Sequence, residues 1–585
     1  MPESSVPESI LLVDCGTVAT KVGVVDRVGG EYRLIGMART GTTVEPPTAD
    51  ASVGVRRAIG QLESVIGRSL LGETGDVITP EQVNGAGVDA VVAVTSAAAP
   101  LRGAIMGLSR DFSVASAQRA MAATHILLEH TLAVDEESGR WGTTARDGRA
   151  GGPSGSVERL AMLRPDVVIM VGGVDGGATV PLVEMANIIA SIGAALEESS
   201  RPLVVFAGNR DARAQVAERI DGLMEFRAAD NVRPAFDTEN IAPLQAELES
   251  IFYERRVKQL PGLGRLGAWA TCPIVPALGG YERVSQFLAK RYDLRVLALD
   301  LGGATTVLLR STAQETARTL LPDVGVGYGL DQLLGRIGID RVARWLPNSI
   351  ALDQAHASIL NQALRPWTTP TLAEDRVALN AVAREVILSS TAAPALNLHW
   401  QQADLVLLSG APVARGCKPN ALMLLAVDTL DLRGIFSVAV DTTGLASAFG
   451  ALASVNPDAA AQVIERDALV TLGTVLVPTF SNRFIEGPAL QALIETARGG
   501  RLEVQVAAGS LELIPLGAGE KAQVQIRPAR GVELGVPLKN GKFEREIEGG
   551  AVGLLIDARG RPLPFAPNLE QQRDRAQKWL WEAGG

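Results

Sequence analysis

At 585 residues the chain exceeds what one hydrophobic core supports, roughly 250 to 300 residues, so several domains are expected. Hydrophobic residues make up 47% and aromatics only 4%, so the cores must be Ala, Val, Leu and Ile; buried parallel strands under helices suit that composition, and an α/β class is expected. A formal charge of −10 without a basic run argues against a nucleic acid partner, and no apolar stretch nears the roughly 20 residues of a spanning helix, so no membrane partner is expected.

The N-terminal MPESSVPES has no basic segment followed by an apolar one, which reads as a cytoplasmic protein without a secretory signal. Cys15, Cys272 and Cys417 lie far apart without CxxC spacing, so they read as small buried residues rather than disulfide or zinc partners.

In chain order, Leu11-Leu12-Val13-Asp14-Cys15-Gly16-Thr17 leads through Lys21 into Val22-Gly23-Val24-Val25, the pattern of strand, Asp, Gly turn, Thr and strand. Thr42 to Asp50, with Pro46 and Pro47, reads as a loop. Ala90 to Thr95, Asp166 to Val171 and Leu203 to Ala207 read as buried strands. Asp135 to Ser156, rich in Gly, Arg and Ser, has few apolar residues to offset the entropy of ordering and reads as a loop. Leu182, Met185, Ala186, Ile189 and Ile192 recur three and four apart, the stripe of a helix covering a sheet.

Val296 to Leu299 opens a second copy of the first pattern: Asp300-Leu301-Gly302-Gly303-Ala304-Thr305-Thr306, running into Val307-Leu308-Leu309. Leu405 to Leu408 then leads into Ser409-Gly410-Ala411-Pro412. Beyond Pro478, alternating segments such as Leu502 to Val506 and Ala522 to Ile526 suggest a small β-rich domain closed by a helix from Asn568 to Trp581, with Trp579 and Trp581 as packing anchors. The expected domains are 1–290, 291–478 and 479–585.

The paired copies point to phosphate chemistry. Gly16, Gly302 and Gly303 would let backbone N–H groups approach phosphate oxygens, and Thr17, Thr305 and Thr306 add hydroxyl donors. Asp14 and Asp300 at strand ends suit a hydrated Mg²⁺, which takes one or two protein carboxylates, and Lys21 would neutralise phosphate. Both carboxylates are expected to be exposed in loops and to add little to folding. Either copy alone reads equally well as a tight hairpin with Asp and Gly in turn positions; two copies in the same order favour a clamp on a triphosphate. Ser409 and Gly410 are candidates for a turn against adenosine, or an ordinary strand-to-helix turn.

Other motifs add little. The Gly172 to Gly177 turn lacks GxGxxG spacing and reads as a strand-to-helix turn, with Asp175 a helix cap or dipole partner. His125, His130, His356 and His399 offer no metal-binding spacing, and neither GxxxxGK[ST] nor GxSxG occurs.

On the two hairpins and the Ser409-Gly410 turn, the chain resembles the actin, Hsp70 and sugar-kinase superfamily. Within it, Thr95-Ser96-Ala97-Ala98-Ala99-Pro100-Leu101-Arg102 with Met106-Gly107-Leu108, Val171-Gly172-Gly173-Val174-Asp175-Gly176-Gly177, and Phe449-Gly450-Ala451-Leu452 resemble the glutamate mutase L family over much of residues 10 to 455. The resemblance implies duplicated actin-like (ribonuclease H-like) ATPase lobes with an α/β insertion, plus a small β-rich C-terminal domain. It implies ATP and Mg²⁺ as cofactors, Asp300 as a catalytic residue, and the subunits of a cobalamin-dependent mutase as partners of a slow reactivating ATPase. A small-molecule kinase and a non-hydrolysing nucleotide-binding scaffold are the alternatives. Val307 stands where related second loops carry an Asp, and Ala411-Pro412 where a second Gly is usual; both departures weigh against hydrolysis more than against the fold.

Overall fold

The computed structural model describes residues 6–135, 140–145, 150–151, 159–391, 402–481 and 487–584. The strand Ile10–Cys15, apolar up to its Asp and buried throughout, sits at the centre of the first sheet. Ala19–Val28 pairs with it antiparallel and Glu31–Gly41 follows antiparallel; on its other side Ala90–Thr95 and then Val275–Pro276 run parallel. The helix Ala51–Ile66 starts where the Asp50 side chain accepts from the Ser52 amide at 2.8 Å, ends at Gly67, and buries Val55, Ala58, Ile59 and Leu62.

The second sheet repeats this order. Val296–Leu301 is central, Thr306–Ser311 and Thr316–Leu321 extend it antiparallel, and Leu405–Gly410 and Gly434–Asp441 lie parallel on the other side. Three antiparallel strands followed by parallel ones, twice over, is the duplicated actin-type, ribonuclease H-like architecture. Leu469–Val477 continues the second sheet, and two strands from beyond residue 478, Gly553–Asp557 and Leu511–Ile514, complete it. The C-terminal segment is therefore hydrogen-bonded into the second lobe. Four more of its strands, Arg501–Ala507, Pro488–Thr496, Lys521–Pro528 and Phe543–Glu548, form a separate antiparallel sheet, and Val532–Glu533 pairs with Thr479–Phe480.

Between the first lobe's fourth and fifth strands lies the insertion. Its sheet runs in the order Phe226–Ala228, Leu203–Phe206, Val167–Val171, Leu101–Gly107, Ile126–Asp135, Arg140–Ala145 and Ala150–Gly151. The last two strands fall where a loop is expected from composition. Arg140–Ala145 pairs antiparallel with the end of Ile126–Asp135, and main-chain hydrogen bonds hold such a ladder whatever its side chains. The remainder of 135–156, at 136–139, 146–149 and 152–156, lies outside the described residues. The helix Val180–Ala195 buries the whole expected stripe from Leu182 to Ile192.

The two lobes share one core. Leu12, Val92 and Val94 of the first sheet and Ala298, Leu309 and Leu407 of the second pack with Tyr281 and Phe449 from the helices Ala277–Tyr292 and Ala446–Leu452. These helices cross at Gly280 and Gly450: a Cβ on Gly280 would lie 1.9 Å from the Ser447 carbonyl oxygen, and one on Gly450 1.9 Å from the Gly280 oxygen. Only glycine permits that approach, so the crossing joining the lobes depends on both.

At the C-terminus, the helix Leu569–Glu582 is capped by Asn568 and anchored by buried Trp579, whose ring carries the Arg559 guanidinium at 4.6 Å. Trp581 is 69% exposed and anchors nothing, because two residues along a helix point to different faces. Cys15 is buried as expected, whereas Cys272 and Cys417 are only partly so. Among the described residues no helix is long and apolar enough to cross a membrane.

Candidate functional site

The two expected hairpins are geometrically equivalent. In the first, the Gly16 amide donates to the Ala19 oxygen at 3.0 Å; in the second, Gly302 donates to Thr305 at 2.9 Å. Asp14 pairs across its ladder with Lys21, and Asp300 across its own with Val307. The repeat therefore extends to register, with a lysine in one copy where the other has a valine. The hairpin tips meet across the cleft so closely that a Cβ on Gly303 would lie 2.2 Å from Val18 Cγ2.

Asp14, Gly16, Thr17 and Lys21 from one lobe and Asp300, Gly302, Gly303, Thr305, Ser409 and Gly410 from the other all line this one solvent-open cleft. Thr306 does not line it: its buried hydroxyl donates to the Val324 oxygen at 2.6 Å. The carboxylates are not the exposed loop groups anticipated. Asp14 is 5% exposed and Asp300 partly buried, because each is the last inward position of a central strand rather than part of the turn.

Lys21 Nζ donates to Asp14 Oδ2 at 2.7 Å and reaches the Gly444 carbonyl of the other lobe. Burial opposes its charge, but Asp14, with Asp441 and Asp300 beyond, holds its pKa above the ordinary value. Asp300, facing Val307, has no such cross-strand cation. Burial pushes it up to about 6; Lys21 offsets part of this, while Asp14 and Asp441 add to it. Asp14 Oδ1 is buried with no hydrogen-bond partner, an atom suited to a water or a hydrated cation. Among the described residues no group of three or more His, Cys, Asp or Glu is placed to hold a metal, so any cation here would rest on one or two carboxylates and water.

Asp441, Arg39 and Arg415 also line the cleft and were not expected from the sequence; Asp441 organises the site most directly. It ends the strand Gly434–Asp441 and is 1% exposed. Its Oδ1 accepts from the Thr443 and Gly444 amides and the Thr443 hydroxyl, and its Oδ2 from Ala446 N and Ser409 Oγ. It thereby fixes the loop that offers the Gly444 oxygen to Lys21 and ties that loop to Ser409. The signal was present: Val440-Asp441-Thr442-Thr443-Gly444 is again an apolar strand, Asp, Thr and Gly. Gly410, at φ 94°, turns the chain where a Cβ would lie 2.3 Å from the Leu301 oxygen, so this turn packs directly on the second hairpin strand.

Outside the cleft, Asp175 accepts from the Arg210 amide at 3.0 Å and from Asn231 Nδ2 at 2.9 Å, so it ties three segments of the insertion together rather than capping the helix Val180–Ala195 that follows it. His125 lines the cleft edge and stacks on Phe252 at 4.3 Å; burial, aided by Arg318, lowers its pKa to about 4.

The family model described as MutL protein matches residues 10–468. Protein MutL of Clostridium tetanomorphum is 25% identical over 363 residues, 58% of this chain and 69% of that protein. Among solved structures, nucleotide-free acetone carboxylase is 11% identical, covering 85% of this chain and 81% of its own, with a TM-score of 0.34. A glycerol dehydratase reactivase is 11% identical, covering 76% and 99%, with a TM-score of 0.29.

Proposed function

The chain belongs to the MutL protein family, and on that premise we propose that it is a nucleotide-binding, chaperone-like factor that reactivates or assembles an adenosylcobalamin-dependent carbon-skeleton mutase such as glutamate mutase. The observation carrying the nucleotide half is the pair of register-equivalent hairpins, facing each other across one cleft with Asp14 and Asp300 at matching positions. The family membership carries the mutase half.

In this reading the tips at Thr17 and at Gly303 to Thr305 hold the phosphates from opposite sides, Lys21 neutralises them, and Ser409 and Gly410 face the nucleoside. Mg²⁺ would rest on Asp14, whose buried Oδ1 lacks a partner, and on Asp300, and would neutralise phosphate charge. Asp300, with no cation opposite it in the ladder, would gain its full charge as the metal arrives. Closing the lobes on ATP requires tighter binding to the closed form, and a mutase that prefers one form is then coupled to ATP reciprocally. Val307 in place of a further carboxylate supports slow turnover by the isolated chain.

The test is to incubate a cobalamin mutase blocked with hydroxocobalamin with this protein, adenosylcobalamin and MgATP, measuring recovered activity and released phosphate. Recovery that needs ATP and fails with Asp300→Ala is expected. Recovery without ATP would reduce the protein to a passive binder, and no recovery with any cobalamin mutase would refute the mutase assignment.

A further inference from the structure

Among the described residues, the arginines with buried side chains at the C-terminal side of the second lobe, Arg415 apart, are paired with acids. Arg384 bonds Asp428 at 2.7 Å, Arg559 lies between Asp557 and Asp428 at 2.8 Å each, and Arg561 reaches Asp557 at 2.7 Å. Arg415 is 4% exposed and lines the cleft, yet among the described residues it forms no ion pair with an acid. Its Nη2 donates to the backbone oxygens of Val326 at 2.8 Å and Pro366 at 3.4 Å, contacts that orient the guanidinium without neutralising it.

Arg39 is the second member. It stands directly across the ladder from Lys21, lines the same cleft, and reaches over to the other lobe, where Nη1 donates to the Ala414 oxygen at 3.1 Å. It too has no acidic partner among the described residues. Burial, and then the positive charge of Arg39, lowers the Arg415 pKa to about 10, as expected of neighbouring cations. The cleft carboxylates are engaged elsewhere: Asp14 bonds Lys21, and Asp441 accepts from its own loop and from Ser409. Among the described residues, Arg39 and Arg415 thus line the cleft as two guanidinium groups bonded only to backbone oxygens.

We propose that Arg39 and Arg415 form an oxyanion subsite that takes a phosphate-class dianion between the two lobes. Two guanidinium forks match a doubly charged oxyanion with three or more acceptor oxygens better than a planar, singly charged carboxylate. Bound there, the anion bridges a strand of one lobe and the turn after Gly410 of the other, so its occupancy favours the closed cleft. The anion has two possible sources, a phosphate of the nucleotide or free inorganic phosphate. The subsite shares its cleft with the nucleotide reading above but does not depend on it.

The test is calorimetric titration of the full chain, in buffer free of phosphate and sulfate, with inorganic phosphate, MgATP, MgADP, adenosine and acetate. Wild type is compared with Arg39→Gln and Arg415→Lys, and folding is checked by circular dichroism. If the nucleotide supplies the anion, Arg39→Gln weakens MgATP binding by about 10- to 100-fold and leaves adenosine unchanged. If free phosphate is the ligand, it binds alongside MgADP and is lost in Arg39→Gln, with MgATP affinity unaltered. Phosphate binding by a wild type that binds no nucleotide would sink the nucleotide reading and leave the subsite standing. The proposal is overturned if folded Arg39→Gln binds phosphate and MgATP as wild type does, if wild type binds neither, or if acetate competes as well as phosphate.

Discussion

Replacing Asp300 with Asn tests the electrostatics of the cleft directly, because the amide keeps the shape of the carboxyl and removes its charge. The Asp300 pKa is about 6 in the folded chain against an ordinary 3.8, a gap of about 2 units. At 1.36 kcal/mol per unit this caps the penalty of ionising the folded protein at about 3 kcal/mol, and water reaching the partly exposed group reduces it to about 1–2 kcal/mol. The sign follows from a raised carboxyl pKa. Its favourable contribution is complete below about pH 3.8, fades as pH rises through about 6, and is gone above that. Asp300→Asn should therefore raise the melting temperature of the second lobe by about 2–8 °C at pH 8, and by about half as much at pH 5. Scanning fluorimetry of the nucleotide-free protein at both pH values, beside MgATP titration, provides the measurement. A stabilised variant with weakened MgATP binding is expected. No gain at pH 8, or an equal gain at both pH values, would refute the argument.

Lys21→Met removes the cation shared by Asp14 and the Gly444 oxygen, and should lower MgATP affinity by about tenfold or more in calorimetry. Gly280→Ala forces a methyl group against the Ser447 carbonyl, and should cost about 1–3 kcal/mol or more in denaturant unfolding, whereas Gly279→Ala, with open space around its Cβ, should be neutral or mildly stabilising. Asp557→Ala leaves the buried Arg561 without its close carboxylate and Arg559 with Asp428 alone; a loss of about 3–5 kcal/mol is expected, read as early proteolytic release of the C-terminal segment. Burial works against the Asp557 charge, yet the two arginines hold its pKa well below the usual range. Its stabilisation is therefore present above about pH 3.8 and lost on further acidification, which wild type should show and Asp557→Ala should not.

The hairpins were legible in the chain because their determinants are local. Asp14 to Lys21 and Asp300 to Val307 are each a few residues of strand, turn and strand, and the Gly-to-carbonyl bond closing each turn spans three residues. The buried strands and the stripe of Val180–Ala195 followed from side-chain period, which is also local. Local pattern was thus enough for the duplicated lobes, the resemblance to the family and ten of the eleven residues expected at the cleft, though not for Arg39, Arg415 or Asp441. Tertiary structure alone decided what depends on which distant segments meet. It turned the Thr306 hydroxyl away to Val324, gave Asp441 five donors from its own loop and from Ser409, and set Arg39 beside the turn that carries Arg415. It also laid Gly553–Asp557 alongside Leu469–Val477, so that a segment read as a separate domain finishes the second sheet. Local patterns carry backbone preference, but the sign and strength of a charge in the cleft come from burial and from partners hundreds of residues away, and only packing brings those together.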